Sequence, residues 1–473
     1  MQNSKRNLWR LLALIVMVSA VLAYVAADSN VLAGLTGSRT LPPGTVTVDA
    51  DLVQDKVLTG SDGQVAVSLT LTAAQIQRID RPAAQHADLV IVLDRSGSME
   101  GQKIEDARQA VLRLIDRLTD QDRLALVTYS DGVRTVTPLV FMDDDHRLQA
   151  RTAVDAVYSG GGTNLGGGLQ QGLELLTQTA GEDRQRKVIL ISDGLANKGV
   201  VDPTALGRMA GGAVERNYTV STVGVGYDFN EILMTTIADH GAGRYYFLEN
   251  PNAFAKVFEK EFQATRNVAA TGLEIHIPLK NGLQLVHAGG YPIQIKDGWA
   301  AVHPGDLLSG QQRKLFLTFR VPTEHEDRID LGGFDITYRH NGAPVTLHNR
   351  QTLALTCVAD QAAVLSSIDK AAWGDQVVQE DYNQLREEVA TAVRKGEKEQ
   401  ALEQINAYET RNRAINAAVG SAKAAVNLDQ DLQSLRQSVR ETFAGSPAAV
   451  AEKQKKASKA MQYESYRIRR DKK

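Results

Sequence analysis

Cysteine is almost absent from the 473-residue chain, in which Cys357 is the only one. An intrachain disulfide, a zinc site made of thiolates and a Cys-x-x-Cys redox pair are therefore excluded. A net charge of −3 gives no strong excess of one sign, and nucleic acid is not expected as a partner. The sequence also lacks the Gly-Lys-Ser/Thr of a nucleotide loop and the His-Glu-x-x-His of a zinc hydrolase. We therefore expect no enzyme activity.

Long apolar runs are also scarce, and residues 11–27 form the only one that approaches the length of a membrane span. Lys5, Arg6 and Arg10 precede it, which is typical of an export signal. We predict a signal peptide or membrane anchor at 1–27, with cleavage and anchoring both open, and a linker at 28–44. The rest of the chain is expected outside the cytoplasm, either in the periplasm or anchored at the cell surface.

Hydrophobic patterning divides the remaining chain into regions of different structure. Residues 45–71 and 273–358 alternate apolar and polar side chains, as antiparallel strands do. Between them, short continuous apolar runs alternate with amphipathic stretches, which indicates a parallel sheet covered by helices. The predicted fold class is α/β: a doubly wound, mostly parallel sheet inserted in a β-sandwich, followed by a C-terminal α-helical region. The predicted divisions are 45–84 for the first sandwich strands, 85–266 for the α/β domain, 267–358 for the rest of the sandwich, 359–444 for the helical region and 445–473 for a basic tail. No internal repeat is predicted.

Oxygen-bearing side chains follow the ends of the predicted parallel strands. Asp94, Ser96 and Ser98 stand in the pattern Asp-x-Ser-x-Ser after the first strand. Thr163 follows a glycine loop, and Asp193 follows a later strand. Because the carboxyl edge of a doubly wound sheet is where ligands bind, we expect these side chains to meet there. Such hard donors suit Mg²⁺, with Mn²⁺ or Ca²⁺ as alternatives.

These segments resemble the von Willebrand factor type A family, whose metal-ion-dependent adhesion site has Asp-x-Ser-x-Ser, a Thr and an Asp in this order. The resemblance covers roughly residues 85–265 and implies that Asp94, Ser96, Ser98, Thr163 and Asp193 surround a divalent cation. It further implies that the cation binds a Glu or Asp of a partner protein. The order of regions is similar to that of bacterial proteins named calcium-activated chloride channel homologues, although a chain with at most one membrane segment forms no pore by itself.

Other interpretations of the same residues stay open at this stage. Asp94, Ser96 and Ser98 could cap the helix expected near Lys103. The metal could stabilise the loops of a scaffold without binding a partner, and a hydrolase or a channel-associated subunit is the remote alternative. In the basic tail, the interleaved Tyr463 and Tyr466 could dock on a partner or an anionic surface.

Overall fold

A computed structural model of the protein describes residues 46–76, 86–177, 184–249, 253–349, 351 and 353–470. The predicted leader and linker, at 1–27 and 28–44, lie outside these residues. Within the described part of the chain, no helix is both long enough and apolar enough to cross a membrane.

Strands come first, strands and helices are interspersed between Ala87 and Arg266, strands follow as far as Val358, and helices make up the rest. The strands are β1 (Val46–Leu52), β2 (Lys56–Leu58), β3 (Gln64–Ala73), β4 (Ala87–Asp94), β5 (Arg123–Tyr129), β6 (Val133–Phe141), β7 (Gln185–Ser192), β8 (Tyr218–Val225), β9 (Ala242–Leu248), β10 (Val268–Pro278), β11 (Gln284–Ala288), β12 (Ile293–Lys296), β13 (Trp299–Val302), β14 (Leu307–Leu308), β15 (Gln312–Arg320), β16 (Arg328–Asp330), β17 (Phe334–His340), β18 (Ala343–Asn349) and β19 (Ala354–Val358). The helices are α1 (Gln102–Ile115), α2 (Asp144–Asp155), α3 (Leu165–Thr177), α4 (Pro203–Val214), α5 (Glu231–His240), α6 (Phe254–Arg266), α7 (Gln361–Ser366), α8 (Lys370–Gln376), α9 (Tyr382–Lys395), α10 (Lys398–Val419), α11 (Ala422–Val426), α12 (Leu432–Thr442) and α13 (Pro447–Arg470).

The α/β domain is built on one six-stranded sheet of order β6-β5-β4-β7-β8-β9. All neighbouring strands are parallel except the edge strand β6, which pairs antiparallel with β5. Alternate residues of β4 enter two cores: Leu89 and Ile91 pack with α1, α2 and α6, whereas Val90 and Val92 pack with α3, α4 and α5. Helices therefore cover both faces, which explains the continuous apolar runs and confirms the predicted doubly wound sheet.

The strand order places a topological switch point beside β4. The chain runs from β4 outward to β5 and β6, and then returns to β7 on the other side of β4. In sheets of this kind the crevice at such a reversal, outside the carboxyl ends of the strands, is the usual position of a ligand. Asp94 is the last residue of β4, and Asp193 directly follows β7. The two carboxylates are thus brought to the same crevice by topology.

The sandwich joins strands from both sides of the α/β domain. β3 pairs with β1 and also with β15, where Leu69 lies opposite Leu315. One sheet has the order β1-β3-β15-β11, another the order β12-β13-β10-β17-β18, and they share one core. The entry and exit of the insertion lie close together, since Gln185 donates its backbone N–H to the His86 carbonyl and its side-chain amide to the Thr271 hydroxyl. The predicted insertion of the α/β domain in a β-sandwich is confirmed.

The C-terminal helical region contains an internal repeat, although none is predicted from the sequence. Two π-helical turns, Val377–Asp381 and Asn427–Asp431, interrupt its helices at positions 50 residues apart. The turns end in matching residues, Asp381 and Asp431, and are followed by further matches, which are Leu385 and Leu435, Arg386 and Arg436, and Val389 and Val439. The two copies touch, because the Tyr382 hydroxyl donates to the Asp431 carbonyl over 3.1 Å. Few other side chains match between the two copies, so the repeat is difficult to recognise in the sequence.

The last helix corrects the interpretation of the basic tail. α13 packs on the α/β domain along its edge strand β9, where the Tyr245 N–H donates to the Tyr466 hydroxyl over 2.9 Å. Tyr463 stacks edge-on against Tyr245 and Phe247, with ring centroids 5.8 and 5.9 Å away. These aromatic side chains therefore pack against the α/β domain of the same chain. Docking of α13 thus supplies an acceptor for the Tyr245 N–H, a backbone donor of the kind that the edge of a sheet leaves unpaired.

We expect the Tyr466→Phe variant to lose about 1 to 2 kcal/mol of unfolding free energy. The ring is retained, but the buried Tyr245 N–H loses its acceptor, and an unsatisfied buried donor costs about that amount. Chemical denaturation of the full chain measures the difference. Tyr158→Phe is the matched control because Tyr158 is 76% exposed. Equal stabilities for both variants and the wild type would show that this hydrogen bond does not hold α13.

Candidate functional site

Asp94 forms the floor of the site at the end of β4. Its side chain is fully buried, and both carboxylate oxygens are held in place. Oδ1 accepts the Ser96 N–H, and Oδ2 accepts the Ser192 hydroxyl, each over 2.8 Å. Burial raises the pKa of Asp94 from 3.8 to about 6, although the hydrogen bonds from Ser96 and Ser192 oppose that rise. The carboxylate is ionised at neutral pH, with its charge poorly solvated.

The two serines lie on a tight turn above Asp94. A 3₁₀ turn, Gly97–Met99, separates β4 from α1, and Met99 anchors it in the core. The Ser96 and Ser98 hydroxyl oxygens are 3.1 Å apart, and the Ser98 hydroxyl donates to Asp193 Oδ1 over 2.7 Å. The alternative that these side chains cap α1 is wrong, since Gly101 occupies the N-cap position of α1 and no side chain caps it. The hydroxyls instead face one another and the second carboxylate.

Thr163 reaches the site from the glycine loop before α3. The loop docks on the first turn through backbone bonds, from Gly97 N–H to the Gly161 carbonyl and from Gly160 N–H to the Arg95 carbonyl. Gly160 and Gly161 have φ values of 154° and 85°, a region that favours glycine. Thr163 is 3% exposed. Within the described residues, its hydroxyl has no hydrogen-bond partner, while its backbone N–H donates to Asn197 Oδ1.

Asp193 completes the site from the end of β7. Ser98 donates to its Oδ1, and the Lys103 ammonium group contacts its Oδ2 over 2.5 Å. The next residue, Gly194, shows how closely the three segments converge. A Cβ at this position would lie 3.3 Å from Ser98 Oγ and 3.6 Å from Thr163 Oγ1. A side chain there would therefore crowd the groups that the site brings together.

All five residues singled out from the sequence thus converge on one crevice. Three further residues that support them were missed. Ser192 orients Asp94, Asn197 orients the backbone of Thr163, and Lys103 neutralises Asp193. Ser192 could have been found, because it stands beside Asp193 in the same motif. No sequence motif marks Asn197 or Lys103, because their contacts with Thr163 and Asp193 depend on how the loops pack together.

The chemistry of the donor set fits a hard divalent cation. Asp94, Ser96, Ser98, Thr163 and Asp193 supply only oxygen donors, as Mg²⁺ and related ions prefer. The Thr163 hydroxyl has no hydrogen-bond partner among the described residues and is therefore available to a ligand. No set of three or more His, Cys, Asp or Glu side chains in the described part of the chain is placed to hold a metal ion. A cation at the carboxyl edge would therefore depend on the hydroxyl groups as well as on the two carboxylates.

Fold and site together define a class: an α/β domain whose switch-point crevice is lined by two carboxylates and three hydroxyls. Residues 88–260 match the family model of the von Willebrand factor type A domain. The chain therefore contains a von Willebrand factor type A domain. Domains of this family bind a divalent metal ion at the adhesion site and generally mediate protein interactions.

Known proteins resemble both the domain and the larger architecture. The chain is 30% identical over 198 residues to the uncharacterized protein YfbK of Escherichia coli K12, an alignment covering 41% of this chain and 34% of YfbK. It is 29% identical over 255 residues to the uncharacterized protein sll0103 of Synechocystis, covering 50% of this chain and 59% of sll0103. The structure of a von Willebrand factor type A protein from Catenulispora acidiphila aligns with 90% of this chain and 97% of its own, with a TM-score of 0.67 and 18% identity. The similarity of fold between these two proteins therefore extends beyond the type A domain.

Proposed function

We propose that this chain is a binding protein that uses a divalent cation at the type A site to bind an acidic side chain of a partner protein. Asp94, Ser96, Ser98, Thr163 and Asp193 would hold the cation, directly or through water. When bound, the cation supplies an electrophilic coordination position for a carboxylate. The observation that carries the proposal is the convergence of these oxygens on one crevice, where the Thr163 hydroxyl has no hydrogen-bond partner in the described part of the chain.

The protein's own contacts support partner binding over a metal-stabilised scaffold. Loops that depend on a metal for their structure would be expected to have few direct bonds to one another. Here the glycine loop is tied to the first turn by two backbone hydrogen bonds, and Ser98 is bonded directly to Asp193. The crevice is therefore organised by the chain itself. A preorganised site leaves more of the free energy of cation binding for attracting a partner.

We further propose Mg²⁺ as the resident cation, and a location outside the cytoplasm. The donor chemistry supports the first proposal, with Mn²⁺ and Ca²⁺ as alternatives. The basic and apolar segment at 1–27 supports the second. The similarity to calcium-activated chloride channel homologues stays a prediction.

Affinity capture with the full chain as bait tests the proposal. We expect a protein from an extracytoplasmic extract to be retained in Mg²⁺ and released by a chelator, because the cation bridges the two proteins. The same capture from a cytosolic extract tests the location. The bait carrying Thr163→Ala is the control for retention elsewhere on the surface. Partners that bind equally with Mg²⁺, with chelator and to the control bait would contradict the proposed function.

A further inference from the structure

A lysine side chain lies directly at the site without belonging to its set of oxygen donors. Lys103, on the first turn of α1, contacts Asp193 Oδ2 over 2.5 Å and donates to the Ser98 carbonyl over 3.2 Å. Its side chain is 30% exposed, whereas that of Asp193 is fully buried. The ammonium group therefore lies between the buried carboxylate and solvent, at the entrance of the crevice.

The ammonium group changes the charge balance of the crevice. At neutral pH the two carboxylates and Lys103 leave one net negative charge. A divalent cation converts this to one net positive charge, whereas without Lys103 the loaded site would be neutral. Since charges a few ångströms apart in a partly buried site interact strongly, Lys103 must repel the incoming cation and attract an anion that follows it.

The hydrogen bonds of Lys103 leave it able to contact such an anion. An ammonium group has three N–H donors, and two contacts within the chain, to Asp193 and the Ser98 carbonyl, account for two of them. Among the described residues there is no third acceptor for it. One donor thus stays available at the partly exposed end of the side chain, next to the oxygens proposed to hold the cation.

We propose that the positive charge of Lys103 makes this site select a carboxylate partner: it weakens binding of the divalent metal and strengthens binding of the carboxylate to the metal-loaded site. This inference rests on the proposed function. It assigns Lys103 as a specificity-determining residue that contacts one oxygen of the partner's carboxylate while the metal binds the other. Lys103 thus lowers the affinity of the site for the metal and raises the preference of the loaded site for an anion.

The test measures metal and anion binding separately in the wild type and in Lys103→Met, which removes the charge and keeps an unbranched side chain. Mn²⁺ alone is titrated by electron paramagnetic resonance. Fluoroacetate, a simple carboxylate, is then titrated into the Mn²⁺-loaded protein, and broadening of its ¹⁹F signal reports binding next to the metal. We expect Lys103→Met to bind Mn²⁺ about tenfold more tightly and fluoroacetate about tenfold more weakly.

Arg113→Met is the matched control, because it removes one positive charge from an exposed position on the same helix, nearly three turns away. It should leave both affinities unchanged. Weaker Mn²⁺ binding by Lys103→Met would overturn the inference and show that Lys103 only positions Asp193. Unchanged affinities for both probes would also overturn it. If the wild type itself binds no Mn²⁺, or binds Mn²⁺ but no fluoroacetate next to it, the proposed function fails and the inference fails with it.

Discussion

Replacing Thr163 with alanine is expected to abolish cation-dependent partner binding while the fold stays largely intact. The variant removes a neutral oxygen donor and leaves the charge of the site unchanged. Without the bridging cation, the partner's carboxylate would be desolvated with no compensating charge, which costs several kcal/mol. At a Mg²⁺ concentration that saturates the wild type, the affinity of the variant for the partner should therefore fall by at least about a hundredfold.

Stability should respond far less than affinity to the same substitution. The Thr163 hydroxyl has no hydrogen-bond partner among the described residues, and the backbone bond from Thr163 to Asn197 survives in the variant. The free energy of unfolding should fall by no more than about 1 to 2 kcal/mol, the size of a lost local interaction. Thr163→Ser is the matched control, since it restores the hydroxyl and should restore binding. Wild-type affinity of Thr163→Ala in saturating Mg²⁺ would refute the adhesion-site mechanism and favour the scaffold.

The parts of the fold that the sequence predicted are those that depend on local periodicity. β4 has apolar side chains at consecutive positions, because both faces of its sheet are covered, and this pattern is unambiguous in a single sequence. The positions of Asp94 and Asp193 follow from strand order once the parallel sheet is recognised. The insertion in a sandwich followed from the need of a few isolated strands for partners, and the β3–β15 pairing supplies them.

The parts that the sequence did not predict depend on contacts between distant segments. Tyr463 and Tyr466 lie on a helix rich in lysine and arginine, and such a pattern is usually a solvated surface. Their actual position is set by Tyr245 on β9, more than 200 residues away in the chain. Lys103 was assigned only to the start of a helix, because its ion pair with Asp193 forms only when β4 and β7 are neighbours. Charged and aromatic residues in a sequence show which side chains are able to form a contact, but they do not show which residue is the partner.

Asp94→Asn is expected to make the metal-free protein more stable at neutral pH while removing the cation site. Burial raises the pKa of Asp94 from 3.8 to about 6 in the folded protein, so the folded state binds this proton more tightly than the unfolded chain does. Protonation therefore stabilises the fold below about pH 4, and that contribution is lost as the pH rises from about 4 to about 6. Above this range the wild type carries a buried charge that costs about 2 to 3 kcal/mol.

The asparagine variant avoids that cost, because its amide oxygen can still accept the Ser96 N–H and its amide group can still bond to Ser192. In chelator at pH 7, chemical denaturation should find it about 2 to 3 kcal/mol more stable than the wild type. The difference should shrink at pH 4.5, where Asp94 is largely protonated. Added Mg²⁺ should stabilise only the wild type, since a ligand stabilises only the protein that binds it. Asp155→Asn, at a largely exposed position on α2, is the control and should change neither measurement. A less stable Asp94→Asn variant in chelator at pH 7 would contradict this prediction. It would show that the Asp94 carboxylate stabilises the turn in the absence of a cation.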